Sequence, residues 1–247
     1  MYFCIVMLTK TRALVLRTVR FGDNKCIVGL LTEELGRVDI CVAVSGSAKA
    51  RFRLSLFQPL TILDVEIDYR TSRGLQSLRS ASLSVPYTSL NTDLSKMCEI
   101  LFLTEFLYNV TKDEQHNEPL FRYITSSLEW LDTKQDGTAN FHLVFMMRLA
   151  RFIGFLPNVD DYHEGCFFDL RNGSFVSCQP LHGDVIPPDD ARRIVTLLRM
   201  NYDNMHRFAM SRQERNALLD FILKFYRIHV PNFPEMKSID VLRSLYT

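Results

Sequence analysis

This chain of 247 residues lacks five of the common short signatures of catalysis and metal binding. It has no G-x-x-x-x-G-K-S/T phosphate loop, no GxGxxG, no HExxH, no GxSxG and no CxxC. Those spacings cradle phosphates, ligate zinc or present a nucleophile, so their absence removes the commonest routes to a nucleotide-driven or hydrolytic enzyme. The six histidines are dispersed, and none follows a strand as the base of a nucleophile would. We expect no catalytic residues.

Charge of one sign is lacking too: 29 Lys+Arg stand against 28 Asp+Glu, a formal +1. There is no internal repeat, no low-complexity tract and no long apolar run. The start, MYFCIVML, has no basic flank and is far short of the ~20 residues that cross a bilayer, so neither an export signal nor a membrane partner is expected. Met7 is an alternative start, since the first strand pattern needs only Thr9 onward. The cysteines number six, Cys4, Cys26, Cys41, Cys98, Cys166 and Cys178, mostly inside apolar runs. They read as free thiols in a reducing cytoplasm.

Balanced overall, the charge is uneven along the chain. Residues 1–92 carry 12 Lys+Arg against 7 Asp+Glu, whereas residues 93–140 carry 4 against 9. Residues 141–187 carry 3 against 5 and residues 188–247 carry 10 against 7. A basic front and an acidic middle suit a first domain that touches nucleic acid and a remainder that packs or meets proteins.

The front reads as five strands: Thr11 to Leu16, Lys25 to Thr32, Arg37 to Val44, Leu60 to Tyr69 and Leu75 to Ser82. Glu33-Glu34-Leu35-Gly36 supplies the glycine of a hairpin loop. Five short strands before any long helix predict an OB-type Greek-key barrel, although an SH3-like barrel has the same strand count. From Pro86 the apolar period becomes helical, placing the boundary near Val85 to Asn91. Helices are expected at about Leu94 to Lys112, Glu118 to Asp132, Ala139 to Phe155, Asp189 to Asn201, Arg212 to His229 and Ile239 to Tyr246. Pro188 suits a first turn, Ser211 with Glu214 a capping box, and Pro231 a stop. The fold class is therefore α+β: a barrel domain over 1–85 and a helical domain over 86–247, with an irregular hairpin insert at 157–187. In that insert Phe167 to Leu170 pairs with Ser174 to Ser177 across Arg171-Asn172-Gly173.

Three groups of residues are candidates for chemistry. After the second hairpin strand, Lys49, Arg51 and Arg53 alternate around Phe52, so an extended backbone puts the cations on one face. Such a face suits the phosphates of a nucleic acid strand, with aromatics nearby to stack on bases; it equally suits a solvated edge strand guarded against aggregation. Arg148 and Arg151 lie three apart in the most apolar of the expected helices. They need an internal acidic partner, Glu105 or Glu99, or else form an open pocket, with Phe145 or Phe152 beside it, for the carboxylates of a partner peptide. His163-x-x-Cys166 and Cys178-x-x-x-His182 have zinc-capable side chains, but this mixture is less specific than paired CxxC. We expect buried thiols and no zinc. Arg192, Arg193, Arg207 and Arg212 read as solvated faces.

With these elements in order, the chain resembles the RecO family of bacterial recombination mediators. The likeness rests on TRALVLRTVRFGDNKCIVGLLTEELGRVDICV, QPLTILDVE, LTEFLYNV, PLFRYITSSLEWL, FHLVFMMRLARFIGFLPNVDDY and MKSIDVLRSLY. It implies an N-terminal OB domain joined to a helical domain without a catalytic centre. It implies binding of single- and double-stranded DNA, strand annealing, and action with RecR to load RecA on gaps coated by single-stranded DNA-binding protein. Localisation would be cytoplasmic, associated with the nucleoid. Matching segments would make Arg37, Lys49, Arg51 and Arg53 phosphate contacts, followed by Arg12, Arg17 and Lys25. Arg148 and Arg151 would receive the acidic C-terminal tail of the single-stranded DNA-binding protein. Many family members carry two CxxC pairs after the GFLP-like stretch, whereas here Cys166 and Cys178 stand alone, as in a degenerate zinc finger. A protein-binding adaptor with little DNA affinity is the alternative function.

Overall fold

The computed structural model describes residues 7–22, 24–44 and 52–245, so Lys49 and Arg51 lie outside the described residues. The chain divides into two compact units, one of residues 1–132 with 236–241 and the other of residues 133–235 with 242–247.

In the first unit, β1 (Met7–Phe21), β2 (Lys25–Thr32), β3 (Gly36–Ala43), β4 (Ile62–Tyr69) and β5 (Leu75–Leu83) close into a barrel of order β1-β2-β3-β5-β4. All neighbours are antiparallel except β3 and β5, which run parallel from Asp39↔Leu75 to Cys41↔Ser77. This is the OB-type arrangement, and it decides against the SH3-like alternative.

β1 is much longer than the expected Thr11 to Leu16 because it serves two neighbours. Met7 to Leu14 pairs with β4, and Ala13 to Phe21 pairs with β2. The register shifts between Val15 and Arg17, which makes Leu16 a bulge. A bulge bends the strand and increases its twist, which lets one strand join both sides of a closed sheet. Alternate residues fill the interior: Ala13, Val15, Val28, Leu30, Val38, Ile40, Val42, Leu63, Val65 and Ile67.

Phe52 belongs to this interior, where it meets Phe57 edge-on at 6.3 Å. Arg53 after it is extended and leads into a short 3-10 turn, Leu54–Phe57. Phe52 is thus a core residue and no stacking platform, which corrects the expectation of an aromatic interleaved among basic residues. A ring of that size gains more from filling the barrel end than from standing in water.

Two helices complete the unit, α1 (Leu94–Val110) and α2 (Glu118–Thr133). α1 packs on β1, and Phe121 of α2 lies under the Arg12 guanidinium, 5.5 Å from ring centroid to Cζ. Strand therefore gives way to helix after Leu83, but compact packing divides only at Asp132.

The second unit holds α3 (Phe141–Leu149), α4 (Pro188–Arg199), α5 (Arg212–His229) and a small sheet of β6 (Phe167–Asp169), β7 (Ser174–Val176) and β8 (Val185–Ile186). Phe168 pairs with Phe175 across a turn in which Gly173 has φ +63, so the hairpin forms around a residue suited to the left-handed region. α5 begins with the Ser211/Glu214 capping box. The last helix, α6 (Ile239–Ser244), is shared by the two units.

α3 is shorter than the expected Ala139 to Phe155. After Leu149 the bonds Arg151 N to Arg148 O and Phe152 N to Leu149 O tighten the chain into three-residue turns. Gly154 then takes φ +90, which ends any helix. Arg148 is consequently in the last helical turn and Arg151, expected in the same helix, is outside it, so the two do not share a helical face.

Candidate nucleic-acid interface

The residues of β1, β2 and β3 that point away from the barrel interior form rows across three strands. Arg17, Gly29 and Asp39 make one row, Val19, Ile27 and Cys41 the next, and Phe21, Lys25 and Ala43 the third. Before the bulge this outer side is closed: Leu14 and Leu31 are buried at 0% and 2% exposure. Beyond it the face opens. Val19 is 41% and Phe21 62% exposed, and Arg17, Lys25 and Ala43 are exposed beside them.

The first row is built around Tyr108 of α1. Arg37 lies over its ring at 4.4 Å and Arg17 at 5.0 Å, and Arg17 Nη1 donates to the Tyr108 hydroxyl at 2.9 Å. Gly29 makes this possible. A Cβ there would stand 2.6 Å from Arg37 Nη2, so a larger residue would lift the guanidinium off the sheet. Arg37 faces Asp39 at 3.6 Å, and its side chain is only 10% exposed. Burial lowers its pKa, opposed by the Asp39 charge. Arg37 is thus mainly a structural brace, whereas Arg17 offers charge to solvent.

The candidate cations separate by partner. Arg12 donates through Nε and Nη2 to Glu33 at 3.0 and 2.7 Å, which raises the pKa of the arginine and lowers that of the carboxylate. Lys10 pairs with Glu66 at 2.9 Å and Arg79 with Asp68 at 2.5 Å. The outer side around β4 is therefore neutralised. Among the described residues, no carboxylate pairs with Arg17, Arg20 or Lys25. Arg53 is exposed at the start of its 3-10 turn.

Three further arginines escaped the sequence reading, Arg20 near the end of β1 and two more in a loop. The β4–β5 connection carries Arg70 and Arg73, and buried Gln76 shapes it. Gln76 accepts from Arg70 N at 2.9 Å and donates to the carbonyls of Arg70 and Arg73 at 2.9 and 2.5 Å. One glutamine thus holds a loop that displays two cations without a described acidic partner. The β1–β2 turn displays Arg20, Phe21 and Lys25. In OB barrels these two connections and the face between them are where oligonucleotides bind. Phe21 was also missed; its signal was the alternation with Arg17 and Val19, concealed by the bulge at Leu16.

The remaining candidates are dispersed in the second unit. Phe145 is fully buried and stacks on Phe141 at 5.8 Å, so it cannot line an open pocket, while Phe152 is half-buried. Arg148 is exposed at the helix end and donates to the Met200 carbonyl at 3.2 and 3.4 Å; Arg151 is exposed. Glu105, in the first unit, accepts from Lys237 N, Ser238 N and the Ser238 hydroxyl. A groove of about 320 Å³ lies between α4 and α5, lined by Ile186, Ile194, Leu218 and Phe221 and by Asp190, Arg193, Asp220 and Lys224; Arg193 pairs with Asp190 at 3.0 Å and Lys224 with Asp184 at 3.5 Å.

The zinc-capable side chains do not converge. Cys166 is buried and Cys178 exposed, His163 Nε2 is 3.0 Å from the Ser177 hydroxyl, and His182 Nε2 is 3.4 Å from Asp169. Among the described residues no three His, Cys, Asp or Glu side chains form a cluster that would hold a metal. Nor, among them, is any helix long and apolar enough to cross a membrane.

The family described as Recombination protein O N terminal matches residues 7–87, and that described as Recombination protein O C terminal matches residues 91–238. A DNA repair protein RecO of Phocaeicola vulgatus is 45% identical over 98% of this chain and its own full length. The proteins of the same name in Bacteroides fragilis and Porphyromonas gingivalis are 46% and 31% identical, each over 97% of this chain and all of the relative.

Proposed function

Because the chain belongs to the RecO family, we propose that it is a non-enzymatic DNA repair protein whose barrel binds and anneals single-stranded DNA. With RecR it would help RecA load on gaps coated by single-stranded DNA-binding protein, as a cytoplasmic protein associated with the nucleoid. The observation that carries this reading is the sorting of charge on the barrel. Cations around β4 are neutralised, whereas Arg17, Arg20 and Lys25 on the β1–β2 side, with Arg70 and Arg73 on the β4–β5 loop, keep theirs available.

Phosphates that meet unpaired cations release condensed counterions, which drives binding and makes it fall with salt. Neutralising two strands also lowers their mutual repulsion, the physical requirement for annealing. Arg53, Lys49 and Arg51 extend the same proposal along the chain. Double-stranded DNA would engage the same cations through its backbone.

Anisotropy of a labelled single-stranded oligonucleotide over a salt series tests this. We expect a clear salt slope in the wild type, and in an Arg17→Ala, Arg20→Ala, Lys25→Ala variant both weaker binding and a slope smaller by about 2, near 0.7 for each lost phosphate contact. Unchanged binding by that variant and by Arg70→Ala, Arg73→Ala would remove the barrel from the mechanism.

The α4–α5 groove favours a second, compatible role in protein binding. Its apolar floor suits the hydrophobic end of a peptide such as the tail of single-stranded DNA-binding protein, whose carboxylates would have to displace Asp190 from Arg193 and Asp184 from Lys224; at Arg148 and Arg151 the proposed aromatic wall Phe145 is buried. A peptide of that tail should bind the wild type and lose affinity in Lys224→Glu. No zinc is proposed, and metal analysis of protein purified without chelator should find less than one equivalent.

A further inference from the structure

We propose that Phe21 is a base-stacking residue and that Phe21, Val19, Ile27 and Cys41 form a platform which takes the unpaired bases of single-stranded nucleic acid. This rests on the reading of the barrel as a DNA-binding surface and adds to it a means of telling a single strand from a bare polyanion.

The geometry is unusual for a solvent face. Phe21 is 62% exposed, although most aromatic rings of its size in this protein are in a core. It is not at a ragged terminus but is paired to Lys25 in the last register position of β1 and β2. Next to it is the row Val19, Ile27 and Cys41, an apolar floor across three strands. Cations flank the floor: Lys25 is directly opposite the ring and Arg17 is two residues from Val19 on the same side, whereas Arg20, paired with the core residue Cys26, belongs to the other side of the sheet. The single carboxylate in the three rows, Asp39, is matched to Arg37 at 3.6 Å.

An apolar patch of this kind could also suit a protein partner, but the charge favours nucleic acid. The ring offers a flat π surface that accepts any base, and the flanking ammonium and guanidinium groups meet the phosphates on either side. From Arg17 to Phe21 the strand advances about 13 Å at ~3.3 Å per residue, room for more than one nucleotide. Duplex DNA, with its bases already stacked inside, would gain nothing from the platform.

The experiment compares two labelled strands of equal length and charge, an oligothymidine and an abasic strand, for wild type, Phe21→Ala and Phe21→Trp. We expect the wild type to prefer the base-bearing strand about tenfold, within the range that one aromatic stack contributes. Phe21→Ala should lose that preference while binding the abasic strand as before, and Phe21→Trp should retain it. Equal binding of both strands by the wild type, or a preference that survives Phe21→Ala, overturns the proposal but leaves the phosphate reading intact. Failure of the wild type to bind either strand overturns both. Sedimentation supplies the remaining outcome: a wild-type dimer that Phe21→Asp converts to monomer would assign the face to a second copy of the chain, against the proposal.

Discussion

Thr88 gives the Asp132 carboxylate both its backbone N–H and its hydroxyl, each 2.8 Å from Oδ2. The other oxygen accepts from Ser89 N at 2.8 Å and Leu90 N at 2.9 Å. Asp132 closes α2, and residues 88–90 are the link between the barrel and α1, so one side chain fixes the passage from strand to helix. Lys96 reinforces it by donating to the Ser89 hydroxyl at 2.6 Å and the Asp132 carbonyl at 3.2 Å.

This arrangement predicts acid sensitivity. Burial pushes the Asp132 carboxyl up, but the backbone donors of Thr88, Ser89 and Leu90 outweigh it and hold the group well below the usual carboxylate range. A depressed folded-state pKa contributes stability above the unfolded value, ~3.9, and loses it as pH falls through the folded value. Asp132→Ala should therefore destabilise by about 2 kcal/mol near neutrality, since three backbone donors lose a charged acceptor. Denaturant unfolding at pH 7 and pH 3 should show the gap between wild type and variant narrowing at the lower pH.

Gly36 is expected to tolerate no side chain. Its φ is +68, and an added Cβ would stand 2.4 Å from the Gln115 carbonyl, backbone that cannot easily move. The next residue, Arg37, donates its N–H to the Glu114 carbonyl at 2.9 Å, so the β2–β3 hairpin is held against the segment after α1. Gly36→Ala should cost more than ~1 kcal/mol, the usual penalty for glycine replacement at an incompatible conformation. A shift of the denaturant midpoint below this size would show that the segment moves aside freely.

Arg12 and Arg17, five residues apart on one strand, should separate stability from binding. Arg12 is committed to Glu33 and Phe121, so Arg12→Ala should lower stability by about 1 kcal/mol and leave DNA affinity near wild type. Arg17→Ala should weaken DNA binding and lower the salt slope with little thermal shift. Melting curves and anisotropy on both variants check this, and equal loss of DNA affinity in the two would show that the Glu33 pair opens on binding.

The elements legible along the chain are the local ones. Alternation and Gly36 define the β2–β3 hairpin, the Arg171-Asn172-Gly173 turn defines the hairpin of β6 and β7, and Ser211 with Glu214 defines the start of α5. Each depends on residues a few positions apart, whose propensities and periods act before any distant contact. The five-strand count and the change to helical period follow from the same short-range signals.

Tertiary structure decided which of the basic residues keep their charge for a partner and which aromatics remain outside. Arg12 finds Glu33 across the sheet, Arg37 finds Tyr108 on a helix, and neither partner is visible from its own neighbourhood in the chain. The bulge at Leu16 changes which side of the sheet later residues occupy, so Phe21 emerges at the surface, while Phe52, set among basic residues, fills the barrel. Charge neutralisation and burial are properties of pairs brought together by closure of the barrel, and a pattern read along the strand contains no information about its distant partner.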